Sequence, residues 1–139
     1  MISALFFLER VIGMAQGVIT TKAREDFAKA HAGDIALPRI IQMAFGSGGL
    51  DAEGNPIATT GEEVALRNEL LRKEIDSHSY PEATTCRYSV RLDKVDLANQ
   101  VISEQGLFDE NGNLVAYKTF LGKGKDDDME FIFDMDEIF

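Results

Sequence analysis

The stretch SEQGLFDENGNLVAYKTF, Ser103 to Phe120, constrains the fold of this chain more than any other. Polar turn residues sit between two runs rich in branched and aromatic side chains, so the backbone must reverse and pair with itself. Strands are expected over Val101 to Phe108 and Leu114 to Leu121. Between them, Asn111-Gly112 can adopt the two positive φ values that a type I′ turn requires. Gly106, Phe108, Asp109, Asn111, Gly112 and Asn113 are therefore assigned to a structural hairpin whose register Asn111-Gly112 fixes.

Other segments follow the same logic. TTKAREDFAKAHAG offers threonine caps, a helix with Ala23, Phe27 and Ala30 inward, and Gly33 as its stop. Leu37 to Phe45 suits a strand, and Gly46 to Thr60 is a loop long enough to suggest mobility or contact with a partner. Thr60 and Glu63 have the spacing of a capping box. Beyond them Val64, Leu66, Leu70, Leu71 and Ile75 gather on one helical face, with Glu63–Arg67 and Glu69–Lys73 pairs four apart. After Pro81 the period becomes two: Cys86, Tyr88, Val90 and Leu92 alternate with Arg87, Ser89, Arg91 and Asp93. In the last piece Met129, Phe131, Phe133 and Met135 share a face, and Glu130, Ile132, Asp134 and Asp136 form an acidic outer side. The expected fold is α+β: N-terminal helices and one capped amphipathic helix on a mainly antiparallel sheet, with a C-terminal hairpin and a final edge strand.

At 139 residues the chain fits one domain, assigned to 17–139, preceded by an apolar helix over 1–16. In that opening segment Leu5, Leu8, Ile12 and Ala15 lie on one side, and Phe6, Phe7 and Val11 widen the apolar sector. Its longest apolar run, Ala4 to Leu8, is far short of the roughly 20 residues that span a bilayer, so no membrane role is expected. Leu5, Phe6, Phe7, Leu8, Val11, Ile12, Ile138 and Phe139 are the candidate partner-binding residues. The net charge of −10 repels a phosphate backbone, so nucleic acid is not expected as a partner. Cys86 is the only cysteine, which excludes an intrachain disulfide and favours a cytosolic place of synthesis.

No catalytic set emerges. DENGN (Asp109 to Asn113) and DAEGN (Asp51 to Asn55) cluster oxygen ligands, but their glycines come fourth, not sixth as in an EF-hand loop; turns are the expectation. FGSGGL lacks the Lys-Ser/Thr of a phosphate cradle. His31 and His78 fall in separate segments expected to be helical, and Cys86 has no base at a useful spacing. The carboxylates are placed on solvated faces. No enzyme activity, metal or cofactor is expected.

Three places carry a resemblance: VITTKAREDFAKA with LPRIIQMAFGSGG; LRNELLRKEI, holding Asn68, Glu69 and Arg72; and, most specifically, ISEQGLFDENGNLVAYKTF, holding Glu104, Gly106, Leu107, Phe108, Asp109, Gly112, Asn113 and Leu114. Over roughly Val18 to Phe139 the chain resembles the N-terminal, baseplate-attaching domain of tail-fibre or tail-collar proteins from contractile-tailed phages and phage-tail-like bacteriocins. The resemblance implies a virion or phage-like tail particle assembled in the bacterial cytoplasm, a link between tail fibre and baseplate, and a homo-oligomer, with a trimer favoured. The segment before Val18 departs from the family as an added docking element. No shaft or receptor-binding region follows the final strand, so a connector is expected rather than a complete fibre. Two rival classes are a host-surface receptor-binding module, which would use the 46–60 loop or the hairpin tip, and an acidic DNA mimic. Against the first, the chain has no Trp to stack on a sugar; against the second, seven of its acids crowd between Asp126 and Glu137.

Overall fold

The computed structural model of the protein describes residues 16–139. In chain order these form β1 (Gln16–Ile19), α1 (Thr21–His31), β2 (Ile40–Gly46), β3 (Glu69–Glu74), β4 (Ser77–Glu82), β5 (Thr85–Leu92), β6 (Gln100–Asp109), β7 (Leu114–Lys125) and β8 (Phe131–Ile138). Two antiparallel sheets result, one ordered β1-β7-β6-β2-β3 and one ordered β4-β5-β8, so the last strand is an edge. Alternating side chains from both sheets share the main core: Met43 and Phe45 of β2, Leu107 of β6 and Phe120 of β7 meet Val90 and Leu92 of β5 and Phe133 and Met135 of β8. The α+β expectation holds at this level, as mainly antiparallel sheet with one helix among the described residues.

The hairpin forms where expected, but its turn is of another type. Asn111 is not among the residues with positive φ, whereas Gly112 lies at φ 82°. The amide of Gly112 donates to the carbonyl of Asp109 and the amide of Asp109 to the carbonyl of Asn113, which gives a three-residue loop closed by a left-handed glycine. The carboxylate of buried Asp109 fixes it, accepting from the amides of Asn111 and Asn113 at 2.9 and 3.0 Å. DAEGN builds the same loop. Asp51 accepts from the amides of Glu53 and Asn55 at 3.0 and 2.9 Å, and Gly54 lies at φ 85°.

One residue beyond the turn, the β6–β7 register shifts: Leu107 opposes Ala116 while Phe108 opposes Leu114. Val115 is thereby the extra residue of a bulge, and it packs with Ile19 and Ala23 instead of the main core. The bulge carbonyls are capped by Thr20, whose amide donates to the carbonyl of Val115 at 2.9 Å and whose hydroxyl donates to that of Leu114 at 2.7 Å. Thr20 is also the N-cap of α1, accepting from the amide of Ala23. The bulge thus sets where the helix starts. Gly17, expected to end a preceding helix, instead lies within β1 opposite Lys118; the remainder of the expected 1–16 helix, with Leu5, Phe6, Phe7, Leu8, Val11 and Ile12, lies outside the described residues.

The capped amphipathic helix is the main correction. The capping interactions do form: Glu63 accepts from the amides of Thr60 and Gly61, and Thr60 accepts from the amide of Glu62. No helix follows, because Gly61 is left-handed at φ 93° and the amides of Arg67 and Asn68 are bound by Glu104. The chain then extends as β3 along the edge of β2, with Phe45 opposite Leu71, and crosses to the second sheet as β4. His78 is therefore on a strand. The expected Glu63–Arg67 and Glu69–Lys73 pairs give way to Arg72–Glu69 at 2.8 Å and Lys73–Asp96 at 2.8 Å.

The expectation grouped Val64 with Leu66 as buried, whereas Val64 is 80% exposed and Leu66 is 7% exposed. In urea unfolding, Val64→Asp is expected to change stability by less than about 0.5 kcal/mol. Leu66→Ala is expected to cost about 2–5 kcal/mol.

Candidate functional site

Two buried carboxylates organise the polar interior, and they do so in opposite ways. Glu104, on β6, is fully buried. Its Oε2 accepts from the amides of Gly48 and Asn68 at 2.8 and 2.7 Å. Its Oε1 accepts from the amide of Arg67 at 2.8 Å and from the hydroxyl of Tyr117 at 2.6 Å. Four donors from three separate parts of the chain saturate it, which makes burial of the carboxylate tolerable. The phenol of Tyr117 is pushed up by burial and by its hydrogen bond to Glu104, so it stays a donor.

The Gly46–Gly49 run is glycine-rich for the same reason. A Cβ on Gly48 would lie 2.6 Å from Cβ of Arg67 and 2.8 Å from Oε2 of Glu104; one on Gly49 would lie 1.9 Å from the carbonyl oxygen of Ser103. The 46–60 loop, whose length suggested mobility or contact with a partner, is bonded to the sheet by the hydroxyl of Ser103 at the amide of Gly49 and by Thr119 at the carbonyl of Ile57, and to itself by the amide of Ile57 at the carbonyl of Gly49. Around the same node the guanidinium of Arg72 sits 3.6 Å above the ring of Phe108 while pairing with Glu69.

The second carboxylate, Glu137, comes near the end of β8. Placing the acids on solvated faces does not survive: Asp26, Glu104, Asp109, Asp136 and Glu137 are all buried. Asp136, expected on the outer side, is covered because Arg87 on the neighbouring strand clamps it through two nitrogens at 3.0 and 3.2 Å. Even so, burial raises the Asp136 carboxyl above its ordinary value. Glu137 points the opposite way along the strand. Its Oε1 is 3.5 Å from the Tyr88 hydroxyl, at the limit of hydrogen-bonding reach, and its Oε2 has no hydrogen-bond partner among the described residues. Burial pushes its pKa up to about 7.

Glu137 lines a cleft of about 700 Å³ to which α1 contributes Ala23, Asp26 and Phe27. Its walls include Phe27, Ile40, Ile75, Tyr88 and Phe139. Cys86, expected in the core, is only half-buried and also lines the cleft, where burial raises its thiol pKa. Of the candidate partner-binding residues, Ile138 is opposite Thr85 in β5, and Phe139 rests edge-on against Phe27 at 5.7 Å while 48% exposed. No motif points to Glu137. The signal available was the period-two alternation, which puts it in step with Phe133 and Met135.

Among the described residues no group of three His, Cys, Asp or Glu side chains could hold a metal ion, and no helix is long and apolar enough to cross a membrane. The acids of both DxxGN loops, where a calcium reading was weighed, are used by backbone amides.

Glu104→Gln keeps one acceptor oxygen but turns an amide NH₂ towards donors, and is expected to cost about 2–4 kcal/mol in chemical denaturation. For Glu137 the folded-state pKa is above the ordinary 4.5, so the native state binds the extra proton. This acid therefore contributes stability at low pH that is lost as pH rises from about 4.5 to about 7. Thermal melts of the native chain and Glu137→Gln at pH 5 and pH 8 check this: the variant is expected to gain stability relative to the native chain at pH 8 and to flatten that slope. In comparisons with known proteins, no family model, no curated protein and no solved structure matches the chain.

Proposed function

We propose that this protein is a non-catalytic structural component of a phage or phage-like contractile tail, connecting tail fibre to baseplate. One observation carries the reading. Stretches that resemble the tail-collar domains are far apart in sequence, yet their polar groups hold one another: the amides of Gly48 and Asn68 meet at Glu104, and Arg72 lies over Phe108. Their hydrogen-bonding atoms are spent on holding one part of the chain to another. That is the economy of a rigid joint, in which neighbours must meet in a single orientation.

In this reading the apolar segment Met1–Ala15 docks on another tail protein, together with the exposed ring of Phe139, and the domain works as one copy of an oligomer, with a trimer favoured. The partners of the C-terminal acids favour this reading over an acidic DNA mimic. Three of the seven acids between Asp126 and Glu137 are engaged by side chains of β5, Asp134 by Ser89, Asp136 by Arg87 and Glu137 by Tyr88, so they form no phosphate-like array.

Tails purified from an induced or infected bacterial lysate test it. The native chain is expected in the particles. A chain lacking residues 1–15 is expected to keep the native unfolding midpoint and to be lost from them. Absence of the native chain from purified tails overturns the proposal, and full incorporation of the truncated chain overturns the docking role of its first residues.

A further inference from the structure

The cleft beneath α1 has a composition that the joint does not require. Among the described residues that line it, the acids Asp26, Glu74, Asp76, Asp109 and Glu137 outnumber one permanent cation, Arg39. Most of these acids already have partners: Asp26 pairs with Lys22 at 3.3 Å, Glu74 accepts from Gln42, Asp76 accepts from the amide of Arg91, and Asp109 holds its turn. Glu137 differs. It is 5% exposed, and its Oε2 has no partner among the described residues, an arrangement that is costly until a donor arrives. The remaining titratable groups of the cleft are His78, Tyr80, Cys86 and Tyr88. Neither tyrosine nor the thiol supplies positive charge.

We propose that this cleft is a binding site for a lysine side chain presented by a neighbouring protein, its ammonium meeting Glu137 and its aliphatic stem lying against Phe27, Ile75 and Phe139. A point-like ammonium fits better than a guanidinium. The unpartnered acceptor is a single oxygen, Oε2, which one N–H of a compact ammonium meets, whereas the fork of an arginine is matched to two oxygens side by side. Tyr80 and Tyr88 also line the cleft and carry no charge to compete with the incoming cation. A protein-borne source is favoured over a free amine by the rim, where Leu37 is 48%, Tyr80 66% and Phe139 48% exposed, apolar area that a free amine would leave uncovered. The inference is independent of the tail reading, since it concerns the chemistry of one cleft and not the particle that contains the chain.

Titration of the isotope-labelled chain followed by NMR tests it with three probes: Nα-acetyl-lysine methylamide, hexylammonium and hexanol. The lysine amide and hexylammonium are expected to give saturable shifts at the amides of Tyr88, Glu137 and Phe139, with hexanol weaker by about tenfold or more. Glu137→Gln is expected to lower the affinity for both cations by a similar factor while remaining folded by thermal melting. A second readout uses the native chain alone: bound hexylammonium is expected to lower the pH at which the Glu137 carboxyl ionises. Equal binding of hexanol and hexylammonium, undiminished binding by the Gln variant, or an unmoved Glu137 titration each overturns the site. Binding of hexylammonium without the lysine amide overturns the protein-borne source.

Discussion

A carboxylate with no access to water must be surrounded by donors, and at Glu104 that requirement shapes much of the larger sheet's outer side. Its four partners come from the loop after β2, the segment before β3, and Tyr117 of β7. To bring the amide of Gly48 within 2.8 Å, the loop must pass too close for a side chain at Gly48 or Gly49. To bring the amides of Arg67 and Asn68 there, that segment must stay open. Removing one partner of such a set leaves buried groups unsatisfied, which is why the node behaves as a unit. Leu66, drawn in alongside, then closes the small outer core of Ala44, Phe108, Leu114 and Tyr117.

The opposite edge of the molecule depends on a different device, the bulge at Val115. By exposing the carbonyls of Leu114 and Val115 to Thr20, it fixes the first turn of α1 and hence the roof of the cleft. Glu137 enters that cleft from the last strand with too few donors. The two acids thus have contrasting states: Glu104 is saturated and structural, whereas Glu137 has one oxygen without a partner among the described residues and a pKa raised to about 7. Asp136, its neighbour on the strand, faces the other way into the clamp of Arg87. Adjacent acids in one sequence therefore have separate roles set by parity alone.

Where alternation was strict, the local reading was sound. β5, β6, β7 and β8 lie within a residue or a few of their expected ranges, since a period of two leaves one way to bury one face. The helix over Thr21–His31 was equally legible from its threonine cap and its Gly33 stop at φ 85°. The 60–78 segment was not, because its apolar residues satisfy a helical period while the unpaired edge of β2 and the Glu104 carboxylate compete for the same backbone amides. Propensity is a weak prior against such tertiary demands. The turn at Asp109 was located correctly and mistyped, because an aspartate that bonds its own loop outweighs the Asn-Gly preference.

Taken alone, the amino-acid order determined β2 and β5 to β8, the reversal at Asp109–Asn113, the helix over Thr21–His31 and the absence of an intrachain disulfide, all matters of nearest neighbours and side-chain parity. Only the tertiary structure decided which acids would be taken from water, why the glycines after Phe45 cannot carry side chains, and where a cleft would open. Those outcomes depend on contacts between residues far apart in the chain, such as Thr20 with Leu114, 94 positions away. Hydrogen bonds of that reach have no local signature, since the partner becomes a neighbour only after the sheets have assembled.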